Sequence, residues 1–190
     1  MTDTRRRVGT REKIQEIALE LFAEQGYEKT SLREIAERLG VTKAALYYHF
    51  RTKDDIVASL FDDFLEQVDE IIDWARDKPV DDELRREIVR RYSDVITSPT
   101  PAAMMQFIQG NQSAVRDLKH SGELFARFRT LSRLLTNPNA ALTTQLKSGM
   151  ALGMLHIGVF GPIEIDATPE QRQAAALEVA LELITSDERR

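Results

Sequence analysis

Thr30-Ser-Leu-Arg-Glu-Ile-Ala-Glu-Arg-Leu-Gly-Val-Thr-Lys-Ala-Ala-Leu-Tyr-Tyr-His-Phe-Arg-Thr-Lys53 is the stretch that decides the fold. Ser31 followed three residues later by Glu34 is a capping box, so a helix starts there. Leu32, Ile35, Ala36 and Leu39 recur at helical spacing and mark one buried face. Gly40 is placed to stop that helix in the left-handed conformation, with Val41 plugging the corner. Thr42 caps a second, short helix reaching about residue 49. Two helices joined by a tight, glycine-containing turn predict a helix-turn-helix.

The second helix decides what the motif does. Leu46 and Phe50 lie one turn apart and anchor it, leaving Lys43, Tyr47, Tyr48 and His49 as a cluster of hydrogen-bond donors, with Lys53 just beyond. Phosphate oxygens are acceptors and suit such donors. Ala44 and Ala45 keep the leading surface small, so the helix tip can approach base edges. The expected DNA contacts are Thr30, Ser31, Thr42, Lys43, Ala44, Tyr47, Tyr48, His49 and Lys53. Of these, Thr42, Lys43 and Ala44 fall nearest the bases.

The run Ile35-Ala-Glu-Arg-Leu-Gly-Val-Thr-Lys-Ala-Ala-Leu-Tyr-Tyr-His-Phe-Arg-Thr-Lys-Asp-Asp-Ile56 resembles the DNA-binding signature of the TetR family of transcriptional regulators. Ala18-Leu-Glu-Leu-Phe-Ala-Glu-Gln-Gly-Tyr27 is similar to that family's first helix. The strong likeness covers roughly residues 10–60. Ala45 departs from it, because many relatives carry a hydroxyl residue there, which removes one possible DNA contact. The resemblance implies a homodimeric regulator, more often a repressor, released from a palindromic operator by a small molecule. A ligand-independent regulator or an activator of the same fold is the alternative.

Composition sets the outer bounds. The chain has 190 residues, 42% of them apolar, which suits one or two globular domains with a real core. It has no cysteine, hence no disulfide framework, thiol nucleophile or Cys-based zinc site. The three histidines, His49, His120 and His156, show no metal-ligand spacing, and neither a metal nor a cofactor is expected. No nucleophile elbow or phosphate-binding glycine loop is present, so no enzyme is expected. The charged start has no apolar stretch behind it, and no apolar run approaches the length of a membrane span; a cytoplasmic protein without a membrane partner is the expectation.

The net charge of −5 looks unfavourable for a nucleic-acid partner until its distribution is read. Residues 1–53 hold 11 Lys and Arg against 8 Asp and Glu, whereas the remainder holds 15 against 23. The basic head supplies attraction and the acidic remainder repels DNA from other faces.

The periodicity predicts an all-α chain. A flexible arginine-bearing arm (1–9) and a first helix (10–25) lead into the hairpin, completing a DNA-binding domain over 1–53. Residues 54–190 are expected to form a helical regulatory and dimerisation domain. Thr52 caps a helix whose apolar positions sustain about 23 residues, roughly 35 Å, too long for a three-helix head. Further helices are expected over 81–96, 102–116, 123–135, 137–159 and 169–185, with Asn137-Pro138 as an N-cap and first helical residue and Thr168-Pro-Glu-Gln171 as a capping box.

A sensor's middle helices would enclose an apolar pocket, for which Trp74, Tyr92, Met104, Phe107, Phe125, Phe128, Met154 and His156 are candidates. Gln106, Gln109 or Asn111 could fix a polar group. The last two helices are rich in glycine and alanine. Glycine within a helix costs about 1 kcal/mol relative to alanine, which close helix–helix approach would offset. The resemblance implies that these two helices pair with their symmetry mates, through Gly149, Gly153, Ala174, Leu177, Ala180, Leu181 and Ile184.

Overall fold

The computed structural model describes residues 2–110, 121–137, 139–161 and 165–185. Among the described residues the secondary structure is entirely helical. The helices are α1 (Thr2–Gln25), α2 (Leu32–Leu39), α3 (Lys43–His49), α4 (Lys53–Ala75), α5 (Asp82–Thr97), α6 (Pro99–Gly110), α7 (Ser121–Leu134), α8 (Leu142–Phe160) and α9 (Pro169–Thr185).

Three boundaries differ from the sequence expectation. First, α1 begins at Thr2 and takes in most of the expected arm. Arginine is a good helix former, and the single Gly9 costs about 1 kcal/mol, too little to stop a helix that continues on both sides. Second, α6 opens at Pro99, directly after Ser98 ends α5, because a proline in the first turn lacks only an N–H that would be unpaired anyway. Third, α8 begins at Leu142. The Asn137 side chain instead accepts the Asn139 N–H at 2.9 Å and its carbonyl accepts the Ala140 N–H at 2.9 Å, which makes a turn where a cap was expected. Pro138 and the expected helical residues 111–116 lie outside the described residues.

The chain divides into two compact units. The first holds α1 to α3, α4 as far as Asp63, and α6 from Ala102. The second holds α4 from Phe64, α5 and the described chain from residue 121. The expected boundary at residue 53 therefore differs from this division, and α4 belongs to both units.

In the first unit, Ile14, Ala18 and Phe22 of α1 are buried, as are Ile35, Ala36, Leu46, Phe50, Ile56 and Leu60. Each of the larger side chains, isoleucine, leucine or phenylalanine, contributes on the order of 1.5–3 kcal/mol when fully buried. A polar clasp joins α1 to α4. Arg11 Nη1 donates to both Asp63 carboxylate oxygens at 2.8 Å, and Gln15 Nε2 donates to Asp63 at 2.6 Å and to Ser59 Oγ at 2.8 Å. Phe107 of α6 completes this core, its ring 5.3 Å from that of Phe22 and 5.4 Å from that of Tyr27.

In the second unit, α8 packs along α9, α5 against both, and α7 against α8. Gly158 is required there, since a Cβ at that position would meet the Ala176 Cβ at 2.2 Å. Arg172 closes the end of α8 by donating to the Gly158 carbonyl at 3.1 Å and the Gly161 carbonyl at 3.3 Å. Arg127 forks onto Asp69, with nitrogen–oxygen distances of 2.9–3.3 Å.

Candidate nucleic-acid interface

Local chemistry builds the hairpin in the way its residues predict. Ser31 Oγ accepts the Glu34 N–H at 3.3 Å, while the Glu34 carboxylate accepts the Ser31 N–H at 2.7 Å, closing the capping box. That bonding holds the Glu34 carboxyl below its ordinary pKa. Gly40 ends α2 at φ 72°, ψ 28°, a left-handed conformation that disfavours any side chain. Its N–H reaches the Glu37 carbonyl at 3.2 Å and the Val41 N–H reaches the Ala36 carbonyl at 3.0 Å, which satisfies two of the free carbonyls at the end of α2. Thr42 Oγ1 then accepts the Ala45 N–H at 3.1 Å and starts α3.

Within α3 only Leu46 is buried. Thr42, Lys43, Ala44, Ala45, Tyr47 and Tyr48 are exposed and His49 is half-buried. The tyrosines are 42% and 69% exposed, an unusual outlay for large rings in a helix this short. Lys43 Nζ lies 5.4 Å from the Tyr47 ring centroid, and the Tyr48 and His49 rings meet edge-on at 5.3 Å. The face therefore gathers an ammonium, two phenols and an imidazole around a small alanine surface. Phosphate oxygens and base edges are acceptors such a surface can meet.

Two expected contacts are placed differently. Thr30 is only 2% exposed, and its hydroxyl donates to the Gly26 carbonyl at 2.9 Å, so it seals the α1–α2 turn and does not face DNA. Its hydroxyl looks like an outward donor in sequence, but the capping residue at the helix mouth is Ser31. Lys53 is half-buried; its ammonium donates to the Tyr27 carbonyl and sits 4.3 Å from the Tyr27 ring centroid. Tyr27 also donates its hydroxyl to Asp54. Burial, then the Asp54 carboxylate, push that hydroxyl well above its ordinary pKa, so it stays a donor. A partner 27 residues away leaves no local trace in the sequence.

The ligand candidates are divided between the two units. Met104 and Phe107 are buried in the first unit, whereas Trp74, Tyr92, Phe125, Phe128, Met154 and His156 belong to the second. Phe125 is 68% exposed. Tyr92 and His156 share a hydrogen bond of 2.6 Å between Oη and Nε2. Burial raises the tyrosine's pKa and lowers the histidine's, so both are neutral. Helical spacing alone does not distinguish a buried position such as Tyr92 from a cavity lining. Gln109 and Asn111 fall outside the residues whose side chains are described. A cleft of about 730 Å³ is formed by the end of α4 and the start of α5, with Trp74, Pro79 and Leu84 among its lining. No group of acidic or histidine side chains suited to a metal occurs among the described residues.

The expected interface residues also split. Ala180 and Ile184 are buried within the chain, against its own neighbouring helices. Gly149 and Gly153 instead face open space, in an apolar groove of about 390 Å³ with Leu146, Met150, Met154 and Ile157. Ala174 is exposed, and Leu177 and Leu181 are half-exposed. With alanines on several faces of α9, the pattern had no phase to tell inside from outside.

Comparisons with known proteins follow this geometry. Residues 14–60 match the family model described as bacterial regulatory proteins, tetR family. The chain is 45% identical over 53 residues to the HTH-type transcriptional regulator AcrR of Shigella flexneri, a match covering 28% of this chain and 25% of that protein. It is 29% identical over 133 residues to the HTH-type transcriptional repressor KstR2 of Rhodococcus jostii (strain RHA1), covering 68% and 64%. These alignments thus span less than two thirds of either relative's length. The fold is similar to that of AibR in a crystal structure with isovaleryl coenzyme A and operator DNA. That match has a TM-score of 0.60 at 20% identity and covers 88% of this chain and 95% of that one. No described helix is long and apolar enough to cross a membrane.

Proposed function

This chain belongs to the TetR family of DNA-binding transcriptional regulators, and from that premise we propose that it is a homodimeric repressor, released from a palindromic operator by a small molecule. The observation that carries the reading is α3 itself. It is a seven-residue helix, capped at Thr42, with one buried anchor and an outward face of Lys43, Ala44, Ala45, Tyr47 and Tyr48. In the repressor reading, Thr42, Lys43 and Ala44 meet base edges, while Tyr47, Tyr48 and His49 meet phosphates.

Dimerisation is supported by the open groove along α8, where a Cβ added at Gly149 or Gly153 would meet no described atom within 4 Å. A two-fold pair of such heads reads two half-sites about 34–36 Å apart, or a multiple of that spacing. Ligand release is supported by the AibR structure, which holds both an acyl-coenzyme A and operator DNA in a similar fold. It is supported too by α4, which belongs to both units. A ligand favouring one position of α4 needs a coupling of only about 1–3 kcal/mol to weaken operator binding roughly 5- to 150-fold.

Selection of bound duplexes from a random pool tests the core of this reading. Enrichment of an inverted repeat whose halves are one or two helical turns apart is expected. An asymmetric site, or none, would overturn the two-fold repressor. The alternative is a ligand-independent regulator. Mutual weakening of ligand and operator binding decides between the two, because linkage is reciprocal.

A further inference from the structure

The cleft at the end of α4 has an unbalanced chemistry. Its volume of about 730 Å³ falls in the range of small-molecule sites, and Trp74, Pro79 and Leu84 give it an apolar lining. The Trp74 ring is held by cations: Lys78 Nζ lies 4.0 Å and the Arg91 guanidinium carbon 3.9 Å from its centroid. The edge of the same indole carries its N–H. That N–H has no acceptor among the described residues.

The lining contains as many acids as bases, but they are not equally free. Asp81 is committed to capping α5, accepting the Leu84 N–H at 2.8 Å. Glu87 is committed to Arg91 at 2.9 Å. Only Glu83 remains as a spare carboxylate. Arg86 and Arg90 also line the cleft, and neither makes an ion pair among the described residues. They stand at i and i+4 on one helix, a spacing at which like charges repel. This occurs in the part of the chain where acids outnumber bases 23 to 15, so potential partners are plentiful in composition yet absent here.

We infer that this cleft binds an organic carboxylate, its acidic head bridged by Arg86 and Arg90 and its apolar body laid along Trp74, Pro79 and Leu84. Guanidinium groups bind carboxylates through paired, charge-assisted hydrogen bonds, and the indole N–H adds a further donor at the apolar end. An amine is disfavoured because one glutamate would face two free arginines and Lys78. An inorganic polyanion would leave the apolar lining unused. The inference rests on the ligand-responsive reading only in making this molecule the effector. Occupancy itself is independent of DNA.

Trp74 is the single tryptophan of the chain, so its emission reports on this cleft alone. The full-length protein is titrated, without DNA, with octanoate and cyclohexanecarboxylate; octan-1-ol and inorganic pyrophosphate serve as the uncharged and polyanionic comparisons. A saturable emission change is expected with at least one carboxylate, at concentrations at least tenfold below those needed for either comparison compound. The Arg86→Gln/Arg90→Gln double variant should bind at least tenfold more weakly, with an unaltered thermal melt. Glu83→Gln, which removes the spare negative charge, should bind more tightly. The proposal is overturned if neither carboxylate gives a saturable change, if octan-1-ol or pyrophosphate matches them, or if the double variant binds as the parent does. A carboxylate that occupies the cleft but leaves operator binding unchanged would remove only the effector role. Failure to bind DNA would bear on the repressor reading alone.

Discussion

Phe107 lies 5.4 Å from Tyr27, ring centroid to ring centroid, across 80 residues of chain. This contact builds a residue of α6 into the same core as the DNA-reading hairpin. Tyr27 in turn holds the first turn of α4 through Asp54 and Lys53. Replacing Phe107 with alanine removes a buried ring from that core, a change that typically costs about 3–5 kcal/mol. The urea midpoint should fall accordingly, whereas Tyr27→Phe, which keeps the ring and loses only the hydroxyl, should cost markedly less. Equal losses in the two variants would show that the rings contribute nothing specific.

Lys43 is exposed, its ammonium 5.4 Å from the Tyr47 ring centroid. Lys43→Ala should leave the thermal melt within about 0.5 kcal/mol of the parent, as surface substitutions usually do. If its ammonium neutralises a phosphate, operator and scrambled duplexes should both lose affinity, and the slope of log K against log salt should shrink by about one. If it reads a base, the loss should be confined to the operator. A variant that binds both duplexes as before removes Lys43 from the interface.

Assembly separates two groups of residues that look alike in sequence. Met150 is 59% exposed in the open groove of α8, while Ala180 is fully buried within the chain. Met150→Glu and Gly153→Glu should give folded monomers by light scattering. Ala180→Arg should instead lower the melting temperature steeply, because an unpaired charge forced into a core costs about 3–5 kcal/mol. Dimers persisting in both glutamate variants would move the interface off this groove.

Burial lowers the pKa of His156, and the sign of the resulting pH effect follows from linkage. The unfolded chain takes up the proton at the ordinary imidazole value, whereas the folded chain resists it until lower pH. The contribution is therefore fully present above the unfolded pKa and is lost as pH falls from that value through the folded one. In His156→Gln, the part of the stability loss below the ordinary imidazole pKa of about 6.5 that belongs to this residue should vanish. Parallel stability curves for parent and variant across that window would contradict it.

What was legible in the sequence was what is local. Ser31 with Glu34, Gly40 and Thr42 each act on a backbone group within five residues, so their spacing alone specifies their hydrogen bonds. Thr30 misled because a hydroxyl beside a cap reads the same whether it faces inward or outward. Only the fold of the α1–α2 turn turns it onto Gly26. Tyr27 with Asp54, Arg11 with Asp63, and Phe107 with Tyr27 join positions 27, 52 and 80 residues apart, beyond any periodic signal. In α9 the alanines fit several faces equally well, so burial there had to come from the structure.

The brevity of α3 has a consequence for how such a protein can change. A free peptide of seven residues does not hold a helix in water, so α3 owes its shape to Thr42, Leu46 and the core beneath it. The outward residues contribute almost nothing to that shape. Mutation can therefore rewrite Lys43, Ala44, Ala45, Tyr47 and Tyr48 with little risk to folding, while Leu46 and the caps stay under constraint. Target preference can drift between gene duplicates faster than the scaffold does, leaving one architecture to serve many unrelated promoters.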